Sequence, residues 1–177
     1  MVLKPQDVIV ALKLCQYGGK RPPISQIAAE LFMSASEVHA AIKRAQAAHL
    51  LHGPEMQGRP NSKTLEEFLV HGLKYAFPPH HGGLTRGLAT SYAAEPLCRY
   101  ISLGNEPPPV WPSADGTVRG VALEPLYPSV PRAAKHDACL YEMLALVDAI
   151  RDGRARERKL AEKELVALVR SPRNGKS

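Results

Sequence analysis

The placement of proline constrains this chain more than any other feature: ten of its 16 prolines lie between Pro78 and Pro131. Proline lacks a backbone donor and clashes with the preceding helical turn, so long helices are confined to the two ends. Three regions are predicted: a helical head over 1–77, a Pro/Gly-rich irregular segment over 78–135, and a helical C-terminal region over 136–177. The chain's 177 residues suffice for a real core, and 45% hydrophobic with 23% charged residues excludes wholesale disorder or a fibrous repeat. The apolar run Val8–Leu12 falls far short of the roughly 20 residues that span a bilayer, and Met1–Asp7 lacks the pattern of a secretory signal. A cytoplasmic protein with no membrane partner is expected. Cys15, Cys98 and Cys139 are odd in number and widely spaced, which suits a reducing compartment and small buried hydrophobes rather than a disulfide framework.

Periodicity predicts the helices. Val8, Leu12 and Cys15 recur at helical spacing over 5–17, with Pro5 in the first turn and Gly18-Gly19 as the stop. A short helix capped by Ser25 carries Ile27, Ala28 and Leu31 on one face. Ser34 and Glu37 then form an S-x-x-E capping box, with Met33 placed to staple onto Val38, opening a helix that runs to about Leu50 or Leu51. Residues 52–61 are turn-rich without strand alternation, and Thr64 and Glu67 match a second capping box before Leu65, Phe68, Leu69 and Leu73. Within the proline-dense middle, Val110-Trp111 and Thr117–Leu123 flank Asp115-Gly116, which predicts a short hairpin. Leu140, Leu144, Val147 and Ile150 form an apolar stripe ended by Gly153 as a C′ glycine, and a final helix follows from Arg154 to about Val169, with Arg158 and Glu162 as an i,i+4 pair. The expected fold class is mainly α with minor β.

Two helices joined by a short turn, the second opened by a capping box, are the mechanical parts of a helix-turn-helix. In such a unit the second helix enters the major groove and its early outer residues meet base edges. The residues Ile27-Ala28-Ala29-Glu30-Leu31-Phe32-Met33-Ser34-Ala35-Ser36-Glu37-Val38 resemble the L-A-x-x-L-x-[LV]-S-x-S-x-V core of winged helix-turn-helix regulators, including the MarR-like families. The resemblance covers about a quarter of the chain. It implies a winged-helix-like head, double-stranded DNA as partner, and transcriptional regulation, most simply repression by occupying an operator. Three departures stand out. Phe32 occupies a position where the family often has glycine; Ala41 and Ala45 replace larger aliphatics, so another element must pack closely there; and only Gly58-Arg59-Pro60 looks like a wing tip.

The DNA-binding residues expected on this reading are Ser34, Ser36, Glu37, His39, Ala40, Lys43, Arg44 and Arg59. Ser36, His39, Ala40 and Lys43 lie early on the outer face and suit the groove. Lys43, Arg44 and Arg59 suit phosphates, because Lys and Arg neutralise phosphate charge whatever the sequence. The net charge of +6 permits an anionic partner without naming one. It is not concentrated, since residues 1–62 hold 7 Lys and Arg against 4 Asp and Glu, and residues 136–177 hold 9 against 7.

Other motifs carry less. His80–Leu88 combines glycines, hydroxyls and a base but lacks a P-loop's context, so an ordered turn is the better reading. His136-x-x-Cys139 has metal-ligand spacing without a second pair, so no metal or cofactor is expected. No nucleophile elbow or other catalytic signature is present, and the chain is not expected to be an enzyme. The mixed charges of the C-terminal helices suit a solvent or interface face, and a homodimer is expected. The competing function is an adaptor or antitoxin-like protein that binds a partner enzyme through the proline-rich middle and the C-terminal part.

Overall fold

The computed structural model describes residues 1–18, 21–54 and 58–171. Gly19, the 55–57 part of the turn-rich stretch and the basic tail from 172 lie outside the described residues. The fold is mainly α with minor β. Two helices form its spine. Helix α1 (Pro5–Cys15) is buried from Asp7 onward, and α7 (Ala138–Asp152) is buried over Cys139–Leu140 and Met143–Arg151. A helix apolar all round has no solvent face to offer, so both lie inside, in contact with each other. One hydrophobic core consequently runs from Val8 through Trp111 to Val169, including residues from all three regions.

On one side of α1 sit α2 (Ile24–Leu31) and α3 (Ala35–Ala47). The small residues Ala41 and Ala45 are fully buried where α3 meets α1, which supplies the closely packed element their size requires. Pro23, rather than Ser25, holds the cap position of α2, because Ile24 already starts the helix. A two-stranded antiparallel hairpin follows α3, with β1 (Leu51–His52) pairing β2 (Arg59–Pro60), where the sequence pattern showed no strand alternation. Next, α4 (Ser62–Glu67) passes through a π-helical turn at Phe68–Gly72 into α5 (Leu73–Ala76). Its cap position is Asn61, and Thr64 instead donates its hydroxyl to the carbonyl oxygen of His49 at 2.6 Å.

The proline-dense middle folds into a three-stranded closed barrel. β3 (His81–Ala89) pairs antiparallel with both β4 (Pro109–Pro112) and β5 (Val118–Leu123), and those two strands run parallel to each other. The hairpin expected around Asp115-Gly116 is therefore corrected: its two strands exist, but they meet β3 rather than pairing antiparallel with each other. The stretch His80–Leu88 is likewise strand from His81 onward rather than an ordered turn, with a register shift between His81 and Leu84. Closure this tight depends on glycine. A Cβ on Gly87 would lie 2.0 Å from the Trp111 carbonyl oxygen, and one on Gly120 would lie 2.0 Å from that of Pro108.

Buried polar contacts tie the barrel to α7. Asp148 accepts from the Thr90 hydroxyl at 2.7 Å and from the Trp111 indole at 2.6 Å. Arg151 bonds the same carboxylate at 2.7 Å and donates to the carbonyl oxygen of Phe77 at 2.8 Å. Burial pushes the Asp148 carboxyl up, against the Arg151 charge and the hydrogen bonds it accepts. Gly153 ends α7 with extended backbone instead of a left-handed C′ geometry; its lack of a side chain matters because a Cβ would lie 2.2 Å from the Ala149 carbonyl oxygen. In α8 (Ala155–Arg170), Arg158 reaches back to the Gly153 carbonyl oxygen at 3.1 Å. No helix among the described residues is long and apolar enough to cross a membrane.

Candidate nucleic-acid interface

The α2–turn–α3 unit is built on local chemistry. Ser34 accepts from the Glu37 backbone N–H at 3.2 Å, and the Glu37 carboxylate accepts from the Ser34 N–H at 2.8 Å, so the capping box closes in both directions. The turn between the helices is made by Phe32, whose φ of 53° and ψ of 43° put a bulky residue in the left-handed region. That conformation costs on the order of 1–3 kcal/mol and persists only where surrounding structure holds it. Here the holding structure is α6 (Val130–His136), which packs against α2. The Arg132 guanidinium lies 4.1 Å from the Phe32 ring centroid, and the His136 ring is 5.2 Å away.

The outer face of α3 divides the eight expected contact residues into groups. Ser34 and Ser36 are exposed, and His39, Ala40 and Lys43 are half-buried along one strip that the core residues Val38, Ala41, Ile42 and Ala45 do not share. Arg59, on β2, is exposed. Gln46 donates to the carbonyl oxygens of Gly53 and Pro54, at 3.1 and 3.2 Å, and so fixes the hairpin against α3.

Two of the expected contacts, Arg44 and Glu37, are engaged by residues from distant parts of the chain. Arg44 makes three bonds to the fully buried Asp7 carboxylate, its Nε at 2.9 and 3.1 Å and its Nη2 at 2.6 Å. Its side chain is only 13% exposed. Arg44 thus locks α3 to α1 and is unsuited to the phosphate contact expected of it. Glu37 accepts a hydrogen bond from the Tyr127 hydroxyl as well as closing its cap. The Tyr127 bond, followed by those from Ser34, holds the Glu37 carboxyl down to about 2. Position along a helix shows which face a residue takes; it does not show that Asp7, 37 residues earlier, or Tyr127, 90 residues later, will meet that face.

A second ionic cluster fixes α2. Lys13, 4% exposed on α1, meets Glu30 at 2.7 Å and Asp137 at 2.6 Å. Burial by itself would raise the Glu30 carboxyl, but hydrogen bonds from Lys13, Tyr17 and Gln26, with the Lys13 charge, hold it down to about 2. Elsewhere, His136 is exposed on α6 and Cys139 is buried on α7, and no group of three or more His, Cys, Asp or Glu among the described residues is placed to hold a metal ion. Cys15 and Cys139 are buried and Cys98 is half-buried, all three without a disulfide; burial pushes the Cys15 thiol up to about 12, which makes it inert at neutral pH.

Comparison of the chain with protein families, with curated proteins and with solved structures gives no match. The functional reading therefore rests on the geometry of this chain alone.

Proposed function

We propose that the protein is a sequence-specific DNA-binding transcriptional regulator, most simply a repressor, in which α2 and α3 act as a helix-turn-helix and the β1–β2 hairpin as a short wing. The observation that carries this reading is the strip Ser36, His39, Ala40 and Lys43. It lies on the outer face of a helix opened by a reciprocal capping box, whose opposite face is anchored in the core, and the hairpin that follows carries the exposed Arg59. A rigid helix with short polar side chains and one lysine suits the major groove, where base edges are read and phosphates flank both walls. Ser34 acts as the cap beside the strip, and Glu37 and Arg44 act in positioning α3.

A homodimer fits this reading if two α3 helices are to sit one DNA turn apart. Because α7 is spent on the core, such a dimer would use exposed surface such as the outer face of α8 rather than both C-terminal helices. Selection of binding sites from the genome at two salt concentrations tests the reading. Lys43→Ala is expected to weaken binding to all sequences and lower the salt slope by about 0.9, whereas His39→Ala relaxes discrimination at one or two base pairs. No salt-dependent binding to any fragment would refute it.

A second reading, an adaptor or antitoxin-like protein that binds a partner enzyme, draws on Tyr75, Leu84, Tyr100 and Leu103. These large apolar side chains are exposed within residues 75–103. It predicts a stable co-purifying enzyme whose binding survives Lys43→Ala.

A further inference from the structure

Phe32 is a residue of the wrong shape for its backbone. The left-handed turn between α2 and α3 is easiest for glycine, yet a phenylalanine stands there, and its ring is used. One face carries the Arg132 guanidinium at 4.1 Å, and the His136 ring packs at 5.2 Å. An aromatic platform holds a guanidinium flat and leaves its N–H edges directed outward, which is the arrangement that suits recognition of phosphate. Arg132 is exposed, and among the described residues its guanidinium has no carboxylate partner and donates no hydrogen bond. Lys135, in the same short helix, is also exposed and, among the described residues, pairs with Asp115 at 3.5 Å, an ion pair that is itself open to water. Backbone strain of this kind points from an observed outlier to a use for the residue.

We infer that Arg132, seated on the Phe32 ring with Lys135 beside it, is a second phosphate-binding element contributed by the C-terminal half of the chain at the edge of the helix-turn-helix, and that its ligand is the DNA backbone. This inference rests on the DNA-binding reading. It extends that reading from one helix to a composite surface: α3 meets the groove, and α6 holds the flanking strand. It also accounts for Phe32, since a glycine would relax the turn and remove the platform. Arg132 is a phosphate ligand on this proposal, and Phe32 is a positioning residue.

The test is DNA binding measured across salt concentrations for the full chain, with wild type, Lys43→Ala, Arg132→Ala, Arg132→Lys and Phe32→Leu. Losing one phosphate contact reduces the salt slope by about 0.9, which corresponds to about eightfold weaker binding at 0.1 M salt relative to a 1 M reference. Arg132→Ala is expected to show this loss equally on specific and unrelated sequences. Phe32→Leu, which keeps an apolar side chain but no π face, is expected to reproduce part of the loss with Arg132 still present, and Arg132→Lys to recover part of the slope. Far-UV circular dichroism and the melting temperature check that each variant is folded; if Phe32→Leu fails to fold, the Arg132 pair decides alone. If wild type binds DNA and Lys43→Ala weakens it while Arg132→Ala leaves affinity and slope unchanged, the inference is overturned and the helix-turn-helix reading stands. If wild type binds no DNA at any salt concentration, both are overturned.

Discussion

The Arg44–Asp7 pair separates a structural arginine from a DNA-contacting one, and replacing Arg44 with alanine is the decisive perturbation. The mutation removes three bonds of 2.6–3.1 Å and leaves a carboxylate with no solvent exposure facing α3. At the effective dielectric that describes such sites, two unit charges at 4 Å interact by about 4 kcal/mol, and removing one partner of a buried pair costs about 3–5 kcal/mol because the remaining charge is stranded. Asp7 keeps one partner, the Lys4 backbone N–H at 2.8 Å, so the lower half of that range, about 3 kcal/mol, is expected. A solvent-exposed phosphate-binding arginine predicts a change within about 0.5 kcal/mol instead.

The assay is urea unfolding followed by circular dichroism, with the slope checked to be unchanged between variants. Asp7→Asn in the Arg44→Ala background removes the stranded charge, so the double variant is expected to be more stable than Arg44→Ala alone, a non-additivity diagnostic of direct contact. The DNA affinity of Arg44→Ala, measured where the protein is fully folded, should retain the wild-type salt slope. An Arg44→Ala protein as stable as wild type, with its slope reduced by about 0.9, would refute the structural role and restore Arg44 to the phosphate contacts.

Three other outcomes are expected. Asp148→Ala should destabilise the fold by about 3–5 kcal/mol by stranding Arg151 and releasing the Trp111 indole, read as urea unfolding with a red shift in the emission of the chain's single tryptophan. Gly120→Ala should cost about 3 kcal/mol or more, since its Cβ would meet the Pro108 carbonyl oxygen at 2.0 Å and backbone must move; an unchanged melting temperature would show that the strands do not close as described. Glu30 has a folded pKa held to about 2, below its ordinary 4.5, so its stabilisation is complete above about pH 4.5 and is lost as pH falls toward 2. Glu30→Gln should therefore flatten the acid limb of the stability curve over that window, measured by urea titrations at stepped pH.

Much of the N-terminal half was legible because its signals are local. The capping box at Ser34 and Glu37 spans three residues, and the burial of Val38, Ala41, Ile42 and Ala45 follows from helical spacing. The size of Ala41 and Ala45 even announced a close neighbour. What stayed hidden depends on partners far along the chain. Arg44 looks like any outward basic residue until Asp7 is seen across from it, and the barrel's strand pairing is set by β3, whose exposed, glycine-rich sequence has no alternation to read. One missed signal was available. Asp148 and Arg151 sit three residues apart among Leu144, Val147 and Ile150 in a helix with apolar residues on every side, and two charges in such a setting mark a buried pair. Read that way, α7 is a core helix, and the idea that it forms an outer dimer face loses its basis.

The same long-range ties change what the proline-dense middle is for. As an irregular strap it would be free to wrap another molecule. Instead its barrel is fastened at Thr90 and Trp111 to Asp148, in the centre of the spine, and its exit carries Tyr127 to Glu37 and Arg132 to Phe32, at the start of α3. Prolines suit this role because they narrow the unfolded ensemble of a segment that has few helical hydrogen bonds to stabilise it. The two ends of that connection differ in kind. The Asp148 end is buried and ionic, so it either holds or unfolds with the core; at the other end Phe32 is half-buried on a strained turn and Arg132 is exposed. The junction of α6 with the α2–α3 turn is thus held by side chains near the surface, and the junction with the spine by buried ones.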